Sequence, residues 1–375
     1  MDFTFNEEQS LIQDQVDQFV QKEYDWETRQ ALSNSDLGFG IDNWKKFAEL
    51  GWLGISVSED NGGYGGTAIE SMLIMEAFGK GLVVEPFLET VIMSASLIDD
   101  HGSDQQKSSV LEPAIAGEMQ LALAYAEPQS RFNLSDLVTE AKLDGDNYIL
   151  NGYKSVVMNG PSANKFIISA RTSGTQLDES GISLFLVDSD STGLDKTDYK
   201  TVDGRRASDL SIENVSVPKD NLIGQQDKGF EILDSAIDKA ILAISAEAVG
   251  AMEVLYKTTV EYTKTREQFG TAIGKFQVLQ HRMVDMFMEY EQCKSLLYMA
   301  TMKHEEGSPD AKKAISGLKY QVGKAGKFIG QQAVQLHGGM GVTDELNVGH
   351  YFKRLTTVGT IFGNTDYHLK RYSAL

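Results

Sequence analysis

The sequence predicts an α+β fold of three parts: an N-terminal helical domain over residues 1–118, a middle antiparallel β domain over 119–225, and a C-terminal four-helix-bundle-like domain over 226–375. Three observations carry this expectation. Apolar residues recur at helical spacing through the first third, the texture turns β-rich near Leu121, and long stretches with few helix breakers follow Gly229. With 375 residues, 41% of them hydrophobic, the chain has ample apolar content to close such cores.

Taken in order, Leu11, Ile12, Val16, Phe19 and Val20 share one face of a first helix, with Asp, Gln and Glu between them. Trp44-Lys45-Lys46-Phe47-Ala48-Glu49-Leu50 is a second amphipathic segment, ended by Gly51. The run Asn61-Gly62-Gly63-Tyr64-Gly65-Gly66 reads as a connection using glycine's freedom at positive φ, because no phosphate-loop lysine follows it. Helical periodicity resumes over 67–97 and near 108–116. Tyr148-Ile149-Leu150 and Tyr153-Lys154-Ser155-Val156-Val157 flank Asn151-Gly152, a dipeptide favoured in tight turns, and so predict a hairpin. Phe166–Ala170 and Ile182–Val187 read as buried strands, and Leu210, Ile212, Val215 and Val217 as one more, ending at Pro218. Helices near 230–264, 276–304, 310–336 and 344–358 have the lengths of a bundle.

The 54 acidic and 34 basic side chains give a formal charge of −20, which disfavours nucleic acid and anionic membrane surfaces as partners. No apolar run is long enough to span a bilayer. The opening, Met1-Asp2-Phe3-Thr4-Phe5-Asn6-Glu7-Glu8, lacks the basic-then-apolar order of a secretory signal, and a cytoplasmic address is expected. The single cysteine, Cys293, lies among acidic neighbours that disfavour a thiolate and reads as a packing residue. No histidine has a partner at metal-ligand spacing, so no metal is expected.

Five short motifs follow in order. Thr265-Arg266-Glu267-Gln268-Phe269-Gly270 precedes Ile273-Gly274-Lys275-Phe276-Gln277, and Gln335-Leu336-His337-Gly338-Gly339-Met340-Gly341 lies further on. Ala126-Glu127-Pro128 with Lys154 to Asn159-Gly160, Gly51-Trp52-Leu53-Gly54 and the glycine run at 62–66 complete the set. Together they resemble the acyl-CoA dehydrogenase family over essentially the whole chain. The resemblance implies an FAD-dependent α,β-dehydrogenation of an acyl-CoA thioester to a trans-2-enoyl-CoA, with electron-transfer flavoprotein or a similar acceptor. It implies that Arg266, Phe269, Gln277, Gln335, Gly338, Gly339 and Thr365 hold FAD, and that Asp238 and Gly363 meet the substrate. It also implies an oligomer, in which the arginine and phenylalanine come from one subunit and the glycine segment from another. The residue types suit that chemistry: Arg266 is a planar, permanently charged fork for phosphate oxygens, and glycines let a ligand lie against bare peptide. The competing reading for Arg266 is a surface pair with Glu261 or Glu267, and for His337 a packing role.

The chain departs from the family at the chemistry itself. The family's base glutamate, in Tyr-Glu-Gly-Thr, falls on Gly363 of Ile361-Phe362-Gly363-Asn364-Thr365-Asp366. The alternative base position, on the long helix before Arg266, falls on Ala240, with Ile241 where an arginine is usual. Two acids remain as catalytic candidates. Glu247 is the only charge between Lys239 and Glu253, almost two turns and about 10 Å from Ala240 on the same face. A carboxylate in so apolar a segment is either paired or raised in pKa. Asp366 lies three residues past the vacated position, where a turn or N-cap role competes. Val156-Val157-Met158 replaces Trp-x-Thr, removing a hydroxyl near flavin N5, and Gln129-Ser130-Arg131-Phe132-Asn133 replaces Gly-x-Gly-Ser-Asp. These losses resemble the smaller subunit of bacterial heteromeric acyl-CoA dehydrogenases, acting in fatty acid or sterol side-chain β-oxidation. The expected assembly is a homotetramer, or a heterotetramer with a second acyl-CoA dehydrogenase-like subunit. The alternative is a non-catalytic partner subunit that completes its neighbour's FAD site. A flavin monooxygenase or nitroalkane oxidase on the same scaffold is a third reading, which Gly363 disfavours because nitroalkane oxidase needs an acid there.

Overall fold

The computed structural model describes residues 5–375; of the acidic opening, Met1–Thr4 lie outside the described residues. In chain order the helices are α1 (Glu7–Glu23), α2 (Trp26–Asn34), α3 (Ile41–Glu49), α4 (Ala68–Gly81), α5 (Ser96–His101), α6 (Asp104–Ile115), α7 (Gly229–Thr265), α8 (Gln277–Glu305), α9 (Ala311–His337), α10 (Val348–Val358) and α11 (Thr365–Ala374). A π-helical stretch, Leu88–Ala95, leads into α5. The strands are β1 (Leu121–Ala124), β2 (Glu140–Asp144), β3 (Asn147–Met158), β4 (Lys165–Arg171), β5 (Ile182–Asp188), β6 (Leu194–Lys200), β7 (Arg206–Pro218) and β8 (Leu222–Ile223), with a two-residue pair β9 (Glu267–Gln268) and β10 (Thr271–Ala272). The chain packs as two compact units. One comprises residues up to Ala31 with Ala68–Val83 and Ile241–Leu375; the other comprises Leu32–Thr67 and Val84–Ala240.

In the helical unit, α1 starts on a capping box: Asn6 Oδ1 accepts from Gln9 N at 2.8 Å, and Gln9 Oε1 accepts from Asn6 N at 3.1 Å. Its Val16, Phe19 and Val20 are buried, as their spacing requires. Helices α4 and α7 cross at two glycines. A Cβ on Gly79 would stand 1.9 Å from the Glu247 carbonyl oxygen, and one on Gly250 would stand 1.9 Å from that of Glu76. Backbones can approach this closely only where both side chains are absent. Cys293 is fully buried on α8, and burial, with Glu289 nearby, pushes its thiol pKa up; it packs and does not react.

In the other unit one sheet runs β6-β7-β3-β2-β4-β5-β8, with β1 added in parallel on β4. Its core is Phe166, Ile168, Phe185, Val187, Leu210, Ile212 and Val215, all buried. The expected hairpin at Asn151-Gly152 is corrected. Those residues lie inside the continuous strand β3, where the pairing with β7 shifts register between Leu150 and Gly152. The tight turn is one step earlier, at Gly145 (φ +60), between β2 and β3. The glycine at 152 answers a different need: a Cβ there would meet Thr139 Oγ1 at 2.4 Å. The glycine run at 62–66 folds back on the preceding segment, with Gly63 N donating to Ser58 O, Gly65 N to Val57 O and Gly66 N to Ile55 O. Those N–H groups are spent internally and cradle no phosphate.

The α4–α7 crossing yields a prediction. Gly250→Ala drives a methyl into a carbonyl, and thermal or denaturant unfolding is expected to show a loss of about 1–3 kcal/mol, the usual cost of overpacking.

Candidate active site

Lys154, on β3, is completely buried and donates to Glu127 Oε1 at 2.8 Å and to Ser169 Oγ at 3.1 Å. Glu127 also accepts from the backbone N–H groups of Val138 (2.8 Å) and Thr139 (3.0 Å) and from Gln129 Nε2 (2.8 Å). Burial alone would raise this carboxyl, but the Lys154 charge and the converging donors carry its pKa down to about 2. The Glu-Pro…Lys motif is therefore a buried ion pair that pins the segment before β2 to the sheet.

Glu247 stands on α7, almost fully buried, against Arg354 of α10. Arg354 Nε donates to Oε1 at 2.7 Å and Nη2 to Oε2 at 2.6 Å. Both carboxylate oxygens are engaged by one guanidinium fork, so the geometry gives Glu247 the structural role weighed against catalysis. Asp366 is exposed in the first turn of α11, where its charge favours the helix N-terminus; the N-cap is Asn364, whose Oδ1 accepts from Tyr367 N at 2.9 Å. Glu247 is therefore occupied by its guanidinium partner, and Asp366 stands on the exposed face of α11.

The turn between α10 and α11 explains why the usual position is empty. Gly363 has φ +115 and follows Phe362 at φ +58, so two consecutive residues leave the ordinary backbone regions. A Cβ at 363 would lie 2.5 Å from both His368 Nε2 and Tyr367 Cδ1. Two buried side chains hold the turn. Lys319 of α9 donates from Nζ to Val358 O at 2.7 Å and to Gly363 O at 3.0 Å, and burial pushes its pKa down to about 7. His368 Nε2 is 2.9 Å from Phe362 O; a carbonyl only accepts, so this nitrogen carries the proton. Burial first, and the Lys319 charge second, push the imidazole down to about 3 and keep it neutral. Sequence reasoning missed Lys319, His368 and Arg354. Lys319 had a signal: it falls at the helical spacing of Ile315, Val322 and Gly326, all buried on α9.

The residues expected to hold FAD fall into two places. Tyr262, one turn before Arg266, stacks on His337 with ring centroids 4.2 Å apart, while His337 Nδ1 bonds Ala333 O at 2.8 Å. His337 thus packs, and the end of α7 meets the end of α9. Arg282 Nη1 donates to Gln332 Oε1 at 3.3 Å, which brings the start of α8, and Gln277 with it, to the same end. Arg266, Phe269, Gln277, Gln335, Gly338 and Gly339 are all exposed there, Phe269 to 93%. Glu261 is held by Lys264, and no ion pair ties Arg266 to it or to Glu267. The Tyr262–His337 stack thus brings the segment of Arg266 and the glycine segment of one chain to the same end of the helical unit. Thr365 lies elsewhere: its methyl is 2.9 Å from where a Gly323 Cβ would be, about 18 Å along α9 from Gln335. Asp238 is buried on α7.

A dinucleotide fits the first place. Among the described residues nothing lies within 4 Å of where a Cβ would stand on Gly338 (φ +61), Gly339 or Gly270 (φ +78), so bare peptide is open at the end of the unit where Arg266 is exposed. In the sheet unit, Val156, at φ +54, and Met158 offer no hydroxyl. Among the described residues no cluster of His, Cys, Asp or Glu has a metal-holding arrangement, and no helix is long and apolar enough to cross a membrane.

Two predictions follow. Lys154→Met strands the Glu127 charge and is expected to cost about 3–5 kcal/mol by denaturant unfolding at pH 7. Because Glu127 sits near 2 in the fold against an ordinary 4.5, the pair's contribution is complete above pH 4.5 and is lost as pH falls towards 2. Wild type and variant should therefore converge in stability on acidification. Likewise Glu247→Gln, which leaves Arg354 without its counter-ion, is expected to lower stability by about 3–5 kcal/mol.

Profiles of the acyl-CoA dehydrogenase N-terminal, middle and C-terminal domains match residues 6–118, 122–215 and 227–374. The chain is 32% identical to the short-chain specific acyl-CoA dehydrogenase of Clostridium acetobutylicum, across 93% of this chain and 92% of that protein. Among solved structures, the FAD complex of PigA aligns with TM-score 0.92 at 28% identity, covering 100% of this chain and 98% of that one. The Tcur3481-Tcur3483 steroid ACAD aligns with TM-score 0.88 at 27% identity, covering 98% and 97%. Helices, sheet and helices in this order, with matches along almost the whole length, make the chain a member of the acyl-CoA dehydrogenase family.

Proposed function

We propose that this chain is a subunit of an FAD-dependent acyl-CoA dehydrogenase that holds flavin and thioester but takes the α-proton with a carboxylate from a second, acyl-CoA dehydrogenase-like subunit. One observation carries this reading: Gly363 stands at the base position with φ +115 and no room for a side chain, while Glu247 is locked by Arg354. Bound FAD accepts the β-hydride, so that loss of the α-proton and hydride leaves a trans-2-enoyl-CoA. Arg266 offers its fork to the pyrophosphate, and the bare peptide at Gly338 and Gly339 lets the dinucleotide lie close. The N–H of Gly363 has only a long 3.4 Å contact with Thr360 O, which leaves it available to the thioester oxygen as charge builds there. The likeness to a two-component steroid ACAD supports a two-plus-two heterotetramer acting on fatty-acyl or sterol side-chain thioesters, with electron-transfer flavoprotein or a similar protein as acceptor. A buried, unreactive cysteine supports a cytoplasmic address.

The exposed Arg266–Gly339 surface and the missing hydroxyl at 156–158 favour a second reading, in which the chain only completes its partner's FAD site. Co-expression with the second subunit tests both. The complex is expected to be yellow and active, and the chain alone inactive. Asp366→Asn should leave turnover within about twofold, whereas neutralising the partner's carboxylate should lower it by at least 10²-fold. Full turnover by this chain alone, or dependence on Asp366, overturns the proposal.

A further inference from the structure

We propose that His368 is a positioning residue for substrate: it holds and polarises the Phe362–Gly363 peptide, whose N–H leaves its long bond to Thr360 O for the thioester oxygen. The inference rests on the reading that Gly363 N–H meets that oxygen. The two ends of this one peptide unit do different jobs. Its carbonyl, Phe362 O, accepts from His368 Nε2 at 2.9 Å, and its N–H, held only by the 3.4 Å bond to Thr360 O, is the group offered to substrate. A donor on an amide carbonyl draws charge through the peptide and strengthens the N–H on the other side. Lys319, donating to Gly363 O and Val358 O, fixes the next peptide and the end of α10, so the unit cannot rotate to relieve its backbone.

Packing alone does not account for this arrangement. Phe362 is held at φ +58, a region that is strained for a residue bearing a side chain and persists only where surroundings enforce it. His368 Nδ1 is buried with no partner among the described residues, a further cost that an aliphatic side chain would avoid. The ring is wholly buried, edge-on to Tyr367 at 5.1 Å, so its donor can turn to nothing else. A strained turn, a buried imidazole with one orphaned nitrogen and a buried ammonium converge on two adjacent peptides. Together they fix the direction of one N–H.

The test is made on the co-expressed complex loaded with FAD, using crotonyl-CoA labelled with ¹³C at the carbonyl and difference infrared spectroscopy. In wild type the bound carbonyl stretch is expected to shift to lower frequency, reporting the hydrogen bond to its oxygen. His368→Ile should lose most of that shift and lower kcat by on the order of tenfold, less than the 10²–10³-fold of deleting an oxyanion donor outright. FAD content and KM should change little. His368→Gln, whose Nε2 can replace the ring donor, should recover part of both. If His368→Ile does not accumulate folded, His368→Phe, which fills the ring's volume without a donor, takes its place. An unchanged carbonyl shift in the donor-less variant overturns the inference while leaving the proposed function standing. A wild-type complex that turns over but shows no carbonyl shift at all overturns the thioester role of Gly363, and this inference with it.

Discussion

A carboxylate and a guanidinium meeting in a dry interior set the geometry of this chain's site. Glu247 and Arg354 clamp α7 to α10 with two short parallel hydrogen bonds, and an ion pair so deeply buried is stable only when the fork is complete. Everything of chemical interest lies where those two helices lead. Helix α7 runs 37 residues and ends at the exposed Arg266 surface; α10 ends at Val358, whose carbonyl begins the strained turn of Gly363. The clamp thus fixes the exposed Arg266 end and the strained Gly363 turn within one set of packed helices.

Much of the fold was legible because its signals are strong and local. Helical spacing of Val16, Phe19 and Val20, the β-branched runs at 166–170 and 182–187, and the breaker-free C-terminal stretches each admit one structure. The hairpin was misplaced because Asn-Gly answers two different demands. It suits a two-residue turn, but at 151–152 the absent Cβ makes room for Thr139, and Gly145 makes the turn instead. A residue pair reports permissiveness; the tertiary neighbour decides how it is used.

The site was less legible for a related reason. Arg266 and the glycines at 338–339 carry their meaning in their own chemistry, and the chain places them together. Glu247 did not: burial was readable from its apolar helix, but whether the carboxylate was paired depended on Arg354, far away in sequence. Lys319 was readable in principle, as a cation at a core-facing position of α9. His368 was not, since nothing on the short, largely polar helix α11 marks the ring as wholly enclosed.

The backbone at Gly363 also bears on descent. Gly363 is a residue whose φ excludes ordinary side chains and whose Cβ space the neighbouring imidazole and phenol ring have taken. A single codon change back to an acid would meet those rings before it met any substrate. An acid at this position needs His368 and Tyr367 to retreat and the turn to rewind at the same time. The geometry works as a ratchet: with the imidazole and the phenol ring filling this space, no single substitution at 363 restores a side chain there.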